Sequence, residues 1–60
     1  MKVRYGKAES LVDSCYMIQE KKWWGWKTIF SYDYNIEGLN SMMYKINDFQ
    51  KQGIICINMD

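Results

Sequence analysis

Sixty residues at 7.3 kDa, 48% hydrophobic and 25% charged, make a single small folded domain over residues 1–60 and exclude a multidomain enzyme. A chain of this size buries only about 60% of the surface its unfolded form exposes, so its own core rarely supplies more than about 3–5 kcal/mol, and help from a disulfide, a metal or a second copy is expected. With no His and only Cys15 and Cys56 as soft ligands, a four-ligand structural zinc site cannot be assembled, and a net charge of +1 gives no global field toward long nucleic acid or an anionic membrane.

In chain order, Lys2 to Tyr5 are expected as an edge strand, Gly6 as a break, and Ala8 to Asp13 as an extended lead-in. Residues Ser14 to Tyr32 are dense in β-branched and aromatic side chains without a helical period, which predicts one β-hairpin. A loop at Lys22-Trp23-Trp24-Gly25 sets Lys21 against Trp26, Glu20 against Lys27, Gln19 against Thr28, Ile18 against Ile29 and Met17 against Phe30. Every one of those pairs is compatible. A loop at Trp24-Gly25 would instead oppose Lys22 to Lys27 and Glu20 to Ile29. Gly25 supplies the positive φ that such a turn needs.

From Asn35 the period changes, because Ile36, Leu39, Met42, Met43, Ile46 and Phe49 recur at spacings of three and four. That predicts one amphipathic helix, capped by Asn35 or Asp33, with Glu37 at its positive end, Lys51 at its negative end and Gly53 as a left-handed stop. Gly38 in the first turn costs about 1 kcal/mol against Ala. The apolar run from Ile54 to Met59 reads as a strand returning beside the hairpin. The expected class is α+β, a β-β-α-β antiparallel or mixed sheet with an optional N-terminal strand and one helix on one face. Either Ile18 and Ile29 meet the helix and Cys15, Met17, Phe30 and Tyr32 point the other way, or the reverse assignment holds; both faces carry apolar side chains. An uncovered face with such side chains marks an interface, so a homo-oligomer is expected through Met17, Phe30 and Tyr32.

Catalysis is not expected. Without His the common proton handlers and activated nucleophiles are missing, and Asp13, Glu20, Asp33, Glu37, Asp48 and Asp60 are scattered over loop, hairpin and helix surface. The four glycines are isolated, so there is no phosphate-cradling loop, and neither a metal nor a cofactor is expected. The start Met1-Lys2-Val3 has no apolar run of secretory length and no uncharged stretch is long enough to span a bilayer, which predicts a cytoplasmic chain without membrane contact. There Cys15 and Cys56 are expected as reduced structural thiols, although a bridge between two strands is geometrically open.

The unusual feature is Lys21-Lys22-Trp23-Trp24-Gly25-Trp26-Lys27, three tryptophans and three lysines at a hairpin tip. A tip lies far from the helix that forms the other core layer, so Lys21, Lys22, Trp23, Trp24, Trp26 and Lys27 are the candidate binding residues. Trp is enriched in binding hot spots, and interleaved Lys suits stacking on bases with paired phosphates. The structural alternative is that Trp23 and Trp26 fold back to staple the hairpin or fill a dimer seam.

The segment from Tyr16 to Ile29, followed by a short helix and a last strand, resembles a hairpin of small accessory proteins of tailed phages and covers about half the chain. The resemblance implies a fold type and a protein of the counter-defence kind, acting in the host cytoplasm by stoichiometric binding of a host immune protein or its nucleotide signal. It brings no functional residues with it. Lys, Ile, Asn and Tyr, favoured by AT-rich codons, make up 23 of 60 residues, which is compatible with that source. The alternative function is a single-stranded nucleic-acid or nucleotide binder that stacks on Trp23, Trp24 and Trp26 and pairs phosphate with Lys21, Lys22 and Lys27.

Overall fold

A computed structural model describes residues 1–9 and 14–59, leaving Asp13, Asp60 and the far end of the expected lead-in outside the described residues. Strands β1 (Lys2–Glu9), β2 (Ser14–Lys22) and β3 (Gly25–Asp33) are followed by helix α1 (Ile36–Lys51) and strand β4 (Ile55–Asn58), and the sheet order is β3-β2-β1-β4. The α+β class and the single helix on a mixed sheet are as expected. The N-terminal strand, however, is central rather than an edge, and Gly6 continues it opposite Met17. Alternation explains this: Val3 and Tyr5 turn one way and Lys2 and Arg4 the other, a half-buried strand. β4 runs parallel to β1, not beside the hairpin, and a parallel neighbour needs a crossover, which α1 supplies.

The hairpin keeps the expected register at its tip, with Lys21 opposite Trp26, Glu20 opposite Lys27 and Gln19 opposite Thr28. Lys22 and Gly25 also pair, so the turn shrinks to Trp23-Trp24, and Gly25 carries a φ of 141°. Below Thr28 the ladder shifts, because Ile29 and Phe30 both stand opposite Ile18, a β-bulge. The last two expected pairs are therefore wrong: Ile18 faces Phe30 rather than Ile29 alone, and Met17 faces Ser31 rather than Phe30. A single extra residue reverses the alternation of the rest of β3. It carries Phe30 and Tyr32 to the helix side beside Ile29, so that Ile29 and Tyr32 pack on the core and the Phe30 and Phe49 rings lie 6.3 Å apart. Met17 points to the opposite face. The expected interface of Met17, Phe30 and Tyr32 is thus split between two faces.

The core is Val3, Ile18, Met42 and Ile46, each at most 2% exposed. Leu39, Phe49, Ile54 and Cys56 pack around it. The helix stripe is narrower than the sequence spacing suggests: Ile36 and Met43 are 76% and 43% exposed, because the sheet accepts only the face through Leu39, Met42, Ile46 and Phe49. Asn35 is the cap, its side-chain oxygen accepting from the Gly38 N–H at 2.7 Å. At the other end Gly53 donates to the Gln50 carbonyl at 3.1 Å and Ile54 to the Phe49 carbonyl at 3.0 Å, which satisfies two orphan acceptors and turns the chain into β4. Gly38 is buried, and a Cβ there would overlap the Asp33 carbonyl, so the first helical turn rests directly on the end of β3.

Candidate functional site

Strand alternation decides which tip residues act together. On β2, Lys21, Gln19 and Met17 share the face away from the helix, while Lys22 and Glu20 share the other. Lys22 is tied to Glu20 by an ion pair of 2.9 Å, and Lys27 lies opposite Glu20 on that same helix side. The six candidate residues are therefore not one cluster. Lys21 and Trp26 stand on the open face, Lys22 and Lys27 on the reverse, and Trp23 and Trp24 form the turn between them. Trp23 is 94% exposed and Trp24 57%.

The open face adds residues that the sequence reading missed. Arg4, from central β1, lays its guanidinium 4.4 Å from the centre of the Trp26 ring, and the Lys21 ammonium lies 5.5 Å from it. Arg4 Nε donates to Gln19 Oε1 at 2.6 Å, and Gln19 Nε2 donates to Thr28 Oγ1 at 3.1 Å. A polar row thus crosses β1, β2 and β3 where an apolar face was expected, and the ground for self-association through that face is weakened accordingly. The only signal for Arg4 in the sequence is the alternation of Lys2-Val3-Arg4-Tyr5, and it becomes useful only once β1 is known to lie beside β2.

At the opposite end of the sheet, Lys7 lies 4.7 Å over the Tyr34 ring and 3.0 Å from Glu9. The hydrogen bond to Glu9, followed by that to Tyr34, raises the Lys7 ammonium above its ordinary value. An open hollow of about 310 Å³ lies where β3 meets the helix, lined among others by Asp33, Asn35, Glu37 and Ser41. Among the described residues no three metal-ligating side chains come together, and no helix is long and apolar enough to cross a membrane.

Both cysteines are free. Cys15, on β2 opposite Ala8, faces away from the helix; Cys56, on β4 opposite Val3, packs on the core. With β1 between them and their side chains on opposite faces, no bridge can form within the folded chain. Two thiols should therefore titrate after unfolding under non-reducing conditions. Burial pushes the Cys56 thiol above its ordinary 9.0, and likewise raises the Tyr32 hydroxyl. Below those ordinary values both groups are neutral in the folded and unfolded chain alike. As the pH rises past them the unfolded chain releases its protons first, so stability falls on the alkaline side. Denaturant midpoints between about pH 8 and about pH 10 should decline, and Cys56→Ala should flatten the decline. An unchanged slope in that variant means that Cys56 is not buried as described.

Comparison with family models, with curated proteins and with solved structures found no match for this chain.

Proposed function

We propose that this protein works by stoichiometric binding rather than catalysis, with the Trp23-Trp24 turn as its contact point. The observation that supports this most is Trp23, 94% exposed at the end of two paired nine-residue strands. A Trp left almost wholly in water contributes nothing to the core, whereas at an interface it brings a large contact area with few rotamers to freeze. The counter-defence use implied by the resemblance, blocking or sequestering a host immune component in the host cytoplasm, is a role that such a projecting tip suits.

Replacing Trp24 by Ala should leave stability within about 1 kcal/mol of the parent, as for a surface change, where a core Trp would cost about 3–5 kcal/mol. The same variant, and Trp23→Ala, should lose the partners that the parent retains from host lysate. If Trp24→Ala unfolds the protein, or both variants keep every partner, the tip is a structural staple. A second reading, recognition of nucleotide phosphate and base, is favoured by the Arg4, Lys21 and Trp26 cluster.

A further inference from the structure

Lys2, Arg4 and Lys21 gather at the tip end of the open sheet face. Val3 pairs with Glu20, so Lys2 sits one step nearer the tip than Val3, beside Lys21 on the neighbouring strand, and Arg4 follows two residues along on the same face. Like charges on adjacent strands repel and weaken the sheet. None of the three has a carboxylate partner among the described residues, whereas Lys7 and Lys22 on the other face each have one. The acid on the open face is Asp33, opposite Cys15 at the far end of β3, roughly 20 Å from Trp26 at about 3.3 Å per residue. The three cations therefore have no paired counter-charge among the described residues.

Resting on the binding role above, we propose that the partner of this face is a short single-stranded nucleic acid, whose phosphates meet Lys2, Arg4 and Lys21 and whose bases stack on the tip tryptophans. Trp26 acts as a positioning residue: its ring holds Arg4 and Lys21 on one side of the sheet, so little side-chain freedom remains to be lost on binding. A positive surface beside exposed aromatic rings is what single strands require, because every base has a face to stack while the cations track the backbone. A net charge of +1 limits the site to a few phosphates, in keeping with three cations rather than a long basic groove.

The test uses the whole chain with octathymidylate, octauridylate and an abasic octamer of the same length, read by fluorescence anisotropy and by tryptophan quenching. Both base-bearing octamers should bind and quench. Neutralising three phosphates predicts a slope of about −2 in log K against log salt, about a 20-fold loss between about 50 and about 200 mM salt. Lys21→Gln should weaken binding and lower that slope by about 0.7. Lys27→Gln, on the reverse face, should change neither, and the abasic octamer should bind at least tenfold more weakly than octathymidylate. The inference is overturned if neither base-bearing octamer binds at about 50 mM salt, if the abasic strand binds equally well, or if Lys27→Gln costs as much as Lys21→Gln. Octamers that fail while Trp23→Ala still abolishes capture of a host protein would overturn this inference and leave the binding role standing.

Discussion

Gly38→Ala should destabilise the domain by about 2 kcal/mol, although helix propensity taken alone assigns the change a gain of about 1 kcal/mol. The two effects have opposite signs, and geometry decides between them. Gly38 is buried in the first turn of α1, and a methyl group there would overlap the backbone carbonyl of Asp33. Backbone cannot swing aside as the end of a long side chain can. Relief requires α1 to back away from β3, which would break the 2.7 Å cap from Gly38 to Asn35 and the 2.9 Å bond from the Asn35 N–H to the Asp33 carbonyl. Overpacking costs about 1–3 kcal/mol and a lost cap about another 1 kcal/mol. Urea midpoints of the parent and the variant measure the sum. A variant as stable as the parent, or more so, would show that α1 does not rest on the end of β3.

Ile18→Ala should leave the chain largely unfolded at room temperature. Ile18 is 0% exposed, lies on the strand between β1 and β3, and faces both Tyr5 and Phe30. Removing three buried carbons from an Ile costs about 2–5 kcal/mol, the same size as the whole stability that a core of this extent supplies. Ile18→Val, at about 0.5–1.5 kcal/mol, should stay folded with a lower midpoint. Circular dichroism of the two variants over a denaturant series separates these outcomes. If Ile18→Ala melts cooperatively near the parent's midpoint, the fold is held mainly by something other than the Val3, Ile18, Met42 and Ile46 cluster, and a second copy becomes the leading source of that support.

The two substitutions bear on the site as well as on the fold. Ile18 is the residue opposite the bulge, and the bulge is what sends Phe30 and Tyr32 to the helix side while Trp26 and Thr28 remain on the open face. Without Ile29 as the extra residue, β3 would alternate uninterrupted from Trp26 to Tyr32. Phe30 and Tyr32 would then join Trp26 on the uncovered face. The bulge therefore separates the aromatic residues that complete the core from those that border the cationic row.

What the sequence determined by itself had local causes. The hairpin tip pairs of Lys21 with Trp26 and Glu20 with Lys27, the Asn35 cap, the helix and its Gly53 stop were all legible, because each depends on residues within a few positions of one another. Only the tertiary structure decided that β1 is central, that β4 pairs with it in parallel, and that Ile29 is bulged. Strand order is a matter of which surfaces meet across the whole chain, and a bulge reverses the facing of every later side chain while leaving composition and spacing unchanged. The same holds for the candidate site. Trp23 and Trp24 stand out in any reading of the tip, but Arg4 becomes part of the site only because β1 lies beside β2 and brings its guanidinium over the ring of Trp26, 22 positions along the chain.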